Sequence, residues 1–442
     1  MLNLFEATLR LKGFPIQEAK KRLQEIQQIS ETDYEAYVKD SRQKVFEYHQ
    51  RENSFYQSFI DGKAIKKWED IPVLTKRDLQ IPLKKRLSNG FSKKNTYTSK
   101  TSGSSGNPFS FAKDIFCHAL TWAEILDRYS WYDLNFSSSF QARFYGIPLD
   151  FKGYYTERLK DKLSNRYRFP IFNLSEEKLE QFLNIFRRKR FDYLYGYTSA
   201  IVLFAKYLKS KNIYLKEICS SLKYCIVTSE MLYENDKTLL EQQFGVPLIN
   251  EYGASELDLI AFTNTKDRFK LNTETLFVEI LDHKNNSIPN GEIGRIVITS
   301  LYNKAHPFIR YDIGDLGSIE ASATNKVAVL EKLVGRSNDM AKLSNGKIIP
   351  GLTFYYVTKS IVEEDGNVKE FVVEQTALDA FTIVYVSEIA LSTKDLKKIE
   401  IALSKYVGTD LNIHYERVEV LDRNKRGKLK QFISKIEVRN EP

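Results

Sequence analysis

The texture of the chain changes once, near Phe277, and that change constrains the fold more than any other feature. Upstream, helical patterns alternate with short apolar runs. Leu194 to Leu208 reads as a helix, Leu222 to Val227 as a strand, Asn235 to Phe244 as a helix and Pro247 to Asn250 as a strand. A chain that alternates in this way builds α/β units around a parallel or mixed sheet. Downstream the texture is of paired strands: Phe277 to Leu281, a turn-rich connection from Asn285 to Gly294, then Gly294 to Thr299. The fold expected is therefore α/β: a large N-terminal domain of α/β subdomains plus a β-rich subdomain.

Both ends of the chain add to this frame. The first 60 residues read as helices, with Leu23, Ile26 and Ile29 at helical spacing in a charged background. Trp68 to Leu79 reads as a proline-marked turn and a short helix. Ser175 to Arg190 is an amphipathic helix whose closing cations, Arg187-Arg188-Lys189-Arg190, complement the helix dipole. The last hundred residues read as an α+β module. Glu370 to Val373 and Phe381 to Val386 pair as strands. A helix capped by Ser392 with Asp395 carries Leu396, Ile399, Leu403 and Tyr406 on one face, and strands follow at Leu411 to Val420 and Phe432 to Val438. The boundary is placed at Gly335-Arg336, giving domains 1–335 and 336–442.

Composition removes several classes of function. With 442 residues, 42% of them hydrophobic and 13% aromatic, the chain is folded, with one large core and a smaller one. No apolar run approaches the roughly 18 residues of a membrane helix, and the N-terminus lacks a signal peptide's apolar core, so no stable membrane insertion is expected. Three scattered cysteines, Cys117, Cys219 and Cys225, fit a reducing cytoplasm. The net charge of +9 comes without an aromatic-interleaved or zinc-spaced module, so no nucleic-acid partner is expected. His49, His118, His283, His306 and His414 show no i, i+4 metal spacing and receive no catalytic role. No motif reports an oligomeric state.

One segment carries chemistry on its face. In Thr101-Ser102-Gly103-Ser104-Ser105-Gly106, four hydroxyls and two glycines lie within six residues, followed by Asn107-Pro108. Glycines let successive backbone N–H groups turn inward into an anion-binding nest, and the hydroxyls add donors around the same anion. Such a loop suits a polyphosphate, although its spacing is neither that of a Walker loop nor of a dinucleotide fingerprint. The bland alternative is a flexible Ser/Gly linker.

Further segments fall in a telling order: Asn250-Glu251-Tyr252-Gly253-Ala254-Ser255-Glu256, Ile309 to Asp315, Gly335-Arg336-Ser337-Asn338-Asp339 and Asp422-Arg423-Asn424-Lys425-Arg426-Gly427-Lys428. With the hydroxyl-glycine loop they resemble the adenylate-forming superfamily of acyl-CoA synthetases, luciferases and nonribosomal adenylation domains. Within it the chain is most similar to the phenylacetate–CoA ligase family, in the branch of capsular polysaccharide biosynthesis proteins. Asn53 to Tyr56, Ile71 to Lys76, Thr228 to Leu232 and Gly346 to Gly351 support this, and the resemblance runs from about residue 40 to the C-terminus.

The resemblance implies roles that suit the residue types. The loop Thr101 to Gly106 would hold the β- and γ-phosphates of ATP. Tyr252, beside Gly253, would stack on adenine; Ser255 would reach the α-phosphate; Glu256 would bind Mg²⁺ as a hard oxygen ligand. Asp315 would accept bonds from the ribose hydroxyls, with Arg336 beside ribose and phosphate. Lys428, on a small mobile α+β C-terminal lid domain, would bridge the attacking carboxylate and the α-phosphate. Ser229 and Glu230 would line the nucleotide site, and Tyr195, Gly196 and Tyr197 the acyl pocket. Taken singly, Glu256 reads as a surface carboxylate, Asp315 as a turn residue, Tyr252 as core and Lys428 as a solvated lysine.

The family pattern is also broken in places. Asn107 stands where many relatives carry a cation, which Lys100 or Lys113 could replace. Asn338, next to Asp339, holds the usual acidic hinge position. Ala261 to Glu274 contains neither Cys nor His, so no zinc is expected. The implied activity is ATP-dependent formation of an acyl-adenylate from a small-molecule carboxylic acid. Transfer then goes to an amine or sugar group in surface polysaccharide assembly or, alternatively, to the thiol of CoA as co-substrate.

Overall fold

The computed structural model of the chain describes residues 4–101, 109–146, 151–171, 174–230, 232, 234–334, 340–350, 354, 357–358, 368–387, 389–406, 411–419, 421 and 432–436. The chain divides into two compact units. One comprises Met1–Ser102, Pro108–Ser139 and Ile249–Arg336; the other comprises Gly103–Asn107, Phe140–Leu248 and Ser337–Pro442. The expected boundary at Gly335-Arg336 lies outside the described residues.

The first unit begins with helices Leu4–Leu11, Ile16–Gln28, Glu31–Glu52 and Ser54–Ile60. The starts of the last two are written in the sequence. The Ser30 hydroxyl accepts the Asp33 N–H at 3.1 Å and Asn53 Oδ1 accepts that of Tyr56 at 2.9 Å, satisfying donors that a helix N-terminus leaves orphaned. Ala19 and Leu23 pack with Ala119, Leu120 and Ala123 of the helix Ile115–Ser130. That helix follows an antiparallel hairpin of Thr96–Lys100 and Ser110–Asp114. Two further antiparallel arrays complete the unit. Leu248–Ala254, Asp258–Thr263 and Phe269–Leu271 pair in chain order. Leu276–Leu281, Gly294–Ser300, Tyr311–Ile319 and Leu330–Val334 form the four-stranded sheet that the change of texture at Phe277 announces.

Trp68 to Leu79 departs from expectation. It holds a single 3₁₀ turn at Trp68–Asp70, and no helix follows Pro72. The cause is the backbone of Leu74, which donates to Arg310 O at 2.9 Å and accepts from Asp312 N at 2.8 Å, making a parallel bridge to Tyr311. Groups engaged in a sheet edge cannot start a helix, and Thr75 closes only a turn, with its N–H and hydroxyl both donating to Asp78.

In the second unit, four parallel strands lie in the order Arg166–Pro170, Gln141–Tyr145, Tyr193–Tyr197, Tyr224–Thr228. Helices Phe151–Leu163, Glu176–Arg188, Thr198–Ser210 and Glu234–Phe244 accompany them. The segment Leu194 to Leu208, read as one helix, is instead a strand to Tyr197 and a helix from Thr198. Two features of Tyr193-Leu194-Tyr195-Gly196-Tyr197 override the helical spacing. Its aromatics favour a pleated surface, and Gly196 lies so close to the neighbouring strand that a Cβ there would stand 2.3 Å from Phe144 O. Apolar strand faces and helix stripes meet in one core, which includes Phe144, Phe169, Phe186 and Phe204.

The C-terminal module has strands in the order Asn412–Arg417, Ala380–Ser387, Val368–Ala377, Phe432–Ser434, antiparallel in the middle and parallel at both edges. Its helix, Thr393–Tyr406, starts with reciprocal Ser392 and Asp395 bonds and buries Ile399 and Leu403, as the sequence predicts.

Candidate functional site

The first unit gathers several of the residues singled out by sequence. Tyr252 and Asp315, 63 residues apart, meet directly: the tyrosine hydroxyl donates to Asp315 Oδ2 at 2.9 Å. Asp315 sits on the strand Tyr311–Ile319, and Tyr311 at its start donates to Glu256 Oε1 at 2.7 Å. One strand therefore addresses both the tyrosine and the glutamate of Tyr252-Gly253-Ala254-Ser255-Glu256.

The local fold of that motif follows from its glycine. Gly253 approaches the partner strand so closely that a Cβ would lie 2.3 Å from Asp258 O. The ladder shifts register between Tyr252 and Gly253, and Leu257 N–H donates to Ala254 O at 3.0 Å to close a tight turn. On this turn Ser255 is exposed while Glu256 is only 3% exposed. Glu256 is thus not the surface carboxylate of the bland reading. Its side chain borders a cavity of ≈ 10 Å³ together with Lys113, Thr121, Thr275, Ser300 and Tyr302.

The phosphate-loop candidate is framed but not described. Ser102 to Gly106 lie outside the described residues. Their flanks are joined: Thr101 N–H donates to Phe109 O at 3.0 Å, and Phe109 N–H donates to Thr101 Oγ1 at 3.0 Å. Thr101 is buried, and its hydroxyl oxygen serves the hairpin. Arg336, Lys428, Asn338 and Asp339 also lie outside the described residues.

Of the two stand-in cations, Lys100 is exposed, whereas Lys113 is 2% exposed and pairs with Asp258. Burial pushes the Lys113 ammonium down to about 8, opposed by the nearby Cys117, Glu124 and Glu256. Lys113 thus lies beside the Glu256 turn. Burial likewise raises the Glu124 carboxyl to about 7.

Tyr195, Gly196, Tyr197, Ser229 and Glu230 belong to the second unit. They stand at the carboxyl ends of adjacent parallel strands, with Tyr197 opposite Thr228, and the Thr198 hydroxyl donates to Glu230 O at 3.3 Å. Ser229 has a φ of +69°, a conformation that non-glycine residues adopt rarely and often at functional turns. Carboxyl ends of parallel strands are where open α/β sheets bind ligands. Here Arg143 lies over the Tyr145 and Tyr195 rings, with 4.2 and 4.9 Å to their centroids. Sequence reasoning passed over Arg143, and it passed over Tyr311 as the partner of Glu256. The period-2 alternation that puts Arg143 and Tyr145 on one strand face was the signal for the first. Nothing local signalled the second.

Among the described residues no cluster of three or more His, Cys, Asp or Glu could hold a metal, and no helix is long and apolar enough to cross a membrane. The cavity beside Glu256 has room for about one water, is lined by Leu120, Leu257 and Leu276 and by the buried Lys113 ammonium, and leaves Glu256 Oε1 engaged by Tyr311. Its lining therefore does not fit magnesium, which keeps most of its shell in water and phosphate oxygens.

No protein-family model matches the chain. A crystal structure of 2-hydroxyisobutyryl-CoA ligase with 2-HIB-AMP and CoA shares its fold, at a TM-score of 0.56 and 15% identity, over 92% of this chain and 90% of that one. The fold is that of the adenylate-forming ligases. Sequence similarity narrows the class. The chain is 25% identical to Protein CapK of Staphylococcus aureus over 290 residues, 63% of this chain and 62% of that protein. It is 28% identical to a phenylacetate-coenzyme A ligase of Pseudomonas putida over 116 residues, 25% of this chain and 26% of that one. The similarity thus spans less than two thirds of CapK and about a quarter of that ligase. In fold the chain is like the adenylate-forming ligases, and in sequence it is similar to CapK and to the phenylacetate-coenzyme A ligases.

Proposed function

We propose that this protein activates a carboxylic acid at the expense of ATP and passes the acyl group to an acceptor. A carboxylate oxygen attacks the α-phosphorus, the bond from that phosphorus to the pyrophosphate oxygen breaks, and acyl-adenylate and pyrophosphate form. An acceptor nitrogen, oxygen or sulfur then attacks the acyl carbon, loses its proton to solvent and expels AMP. The observation that carries this reading is the meeting of Tyr252 and the Glu256 turn with the strand that bears Asp315, with the hairpin strands Thr96–Lys100 and Ser110–Asp114 in the same unit.

In this reading Tyr252 stacks on adenine and holds Asp315, which accepts the ribose hydroxyls. By the resemblance Glu256 would be the carboxylate toward Mg²⁺, an ion that would supply charge to neutralise the polyphosphate. Ser255 on its exposed turn reaches the α-phosphate, and Ser102 to Gly106 with Thr101 cradle the terminal phosphates. Arg336 lies against ribose and phosphate. Lys428 on the 336–442 lid places a cation where negative charge builds up. Tyr195, Gly196 and Tyr197 wall the acyl site, and Ser229 and Glu230 the nucleotide site.

For the acceptor we favour an amine or sugar group of a surface polysaccharide, in a cytoplasmic reaction. The phenylacetate-coenzyme A ligases among the relatives favour the second reading, a CoA thioester. Incubation with Mg·ATP, a panel of acids and either CoA or aminosugars, with AMP and acyl product followed by mass, tests both. Absence of acid-dependent pyrophosphate exchange across aryl, hydroxy and amino acids would end the proposal.

A further inference from the structure

We propose that the outer face of the helix Phe151–Leu163 is a docking surface for an anionic lipid bilayer, on which the protein lies without crossing it. The inference is independent of the nucleotide site. It starts from a helix whose polarity runs the wrong way round. Tyr155, Leu159 and Leu163 recur every four residues, so they share one face, and they are 57%, 58% and 56% exposed. A helix on a globular surface ordinarily turns such a stripe to the core and its charges to water.

Here the acids are turned inward instead. Asp161 is buried, accepting from Arg166 and from both Nε and Nη2 of Arg168 on the edge strand Arg166–Pro170. Glu157 accepts from Arg168 at 2.8 Å and from Lys160 at 2.7 Å. Arg158 lies over the Tyr154 ring and donates to Arg168 O at 3.3 Å. These bonds fasten the helix to the sheet through its polar side. The apolar stripe is left outside, with the exposed Lys160 and Lys162 beside it.

A second basic element stands at the same end of the sheet. Gln141 pairs with Arg166 on one side and Tyr193 on the other, and its N–H donates to Asn165 O at 3.1 Å, just past the helix. Tyr193 itself closely follows the exposed run Arg187-Arg188-Lys189-Arg190, in which Arg187 is shared with Glu180. Two strand spacings, about 10 Å, separate the two elements, which is roughly one Debye length at moderate ionic strength. Their fields therefore add. The charge pattern selects the occupant. Apolar side chains edged by cations, with the neighbouring acids withdrawn, match a surface that is negative at its headgroups and apolar just beneath them.

The test mixes the full chain with sedimentable vesicles of phosphatidylcholine, with or without a one-third share of phosphatidylglycerol, and measures the bound fraction. Binding to the anionic vesicles is expected, and it should weaken as salt rises. Roughly half of each leucine remains to be buried, so Leu159→Ser combined with Leu163→Ser should weaken partitioning by about 10- to 100-fold. Arg188→Gln combined with Arg190→Gln should weaken it by about 5- to 30-fold, the sum of two cations near a charged surface. Both variants should keep the wild-type melting temperature, because the altered side chains are exposed. If the serine pair fails to fold, Leu159→Gln alone carries the measurement. No binding to either vesicle, equal binding to both, or unaltered binding in the leucine variant overturns the inference. So does a loss of oligomeric mass in that variant with vesicle binding unaltered, which would give the face to a second copy of the chain.

Discussion

Removing one oxygen atom tests whether Tyr252 and Asp315 act as a pair. Tyr252→Phe keeps the ring and deletes the hydroxyl that donates to Asp315 Oδ2 at 2.9 Å. Hydrogen bonds to charged groups contribute about 1.5–3 kcal/mol, and here both partners are only half-buried, so water recovers part of that. About 1–2 kcal/mol remains as the cost of a carboxylate no longer aimed at the ribose. At about 1.4 kcal/mol per decade this corresponds to a roughly 5- to 30-fold rise in the KM for ATP. Tyr252→Ala also removes the stacking platform, which for base–aromatic pairs contributes about 1–3 kcal/mol more. Pyrophosphate exchange at graded ATP with saturating acid gives the ranking wild type, Phe, Ala. The acid KM should not move. An unaltered ATP KM in Tyr252→Phe would show that the bond is structural only and would remove Tyr252 and Asp315 from the nucleotide site.

Three further outcomes follow from the same physics. Lys428→Ala should lower pyrophosphate exchange by about 10²–10³-fold, the usual effect of deleting one transition-state donor, while ATP binding by calorimetry persists. Gly253→Ala forces a Cβ to within 2.3 Å of Asp258 O, so the strand pair must separate. A cost of about 1–3 kcal/mol should appear as a lowered melting temperature, with exchange activity lost alongside. Glu124 is raised by burial to about 7 in the folded state, so the native protein holds a proton that the unfolded chain releases above its ordinary carboxylate pKa. Its contribution is present in full below about pH 4.5 and is lost as pH rises to about 7, a change of about 3 kcal/mol. His49, lowered to about 4 by burial, slopes the opposite way between about pH 4 and 6.5. The measurement is therefore the difference between wild type and Glu124→Gln in chemical melts at pH 4.5 and 7; equal differences at the two values would contradict the assignment.

What was legible in the sequence was whatever nearby residues write. Ser175 and Ser392 announce helix starts because a cap acts within three residues, and Ser30 and Asn53, not read as caps in the sequence, act in the same way. The paired strands after Phe277 announce themselves through alternation. The misreadings arose where distant chain decides. Leu194 to Tyr197 becomes a strand because Ala142 and Cys225 flank Leu194 in the sheet, and Leu74 is taken by Tyr311, 237 positions away. The candidate site divides along the same line. Tyr252, Glu256 and Asp315 were singled out by their motifs, but Tyr311 reaches Glu256 and Lys113 reaches Asp258 across more than 50 and 140 residues, and no local pattern encodes such contacts.

The framework beneath the hairpin shows why motifs far from any chemistry belong to the resemblance. Asn53, read only as part of Asn53 to Tyr56, donates to Arg86 O at 2.9 Å and to Ser88 Oγ at 3.0 Å, and that hydroxyl lies 3.1 Å from His49 Nδ1. His49 Nε2 lies 2.8 Å from Asn303 O, and Asn303 donates to Ala112 O on the hairpin's return strand at 2.9 Å. Arg86 itself, fully buried, donates to Ser110 O at 2.6 Å on that strand. Each polar group in this chain is satisfied by the next, and a half-satisfied buried network costs more than an apolar core. Removing any one member would therefore leave an unpaired partner beneath Ser110 to Lys113. The strand that carries Lys113, and that begins next to the phosphate-loop candidate, is held from below by the N-terminal helices. A rigid floor of this kind is what a segment rich in glycine and hydroxyl residues needs if it is to meet a polyphosphate in a fixed geometry.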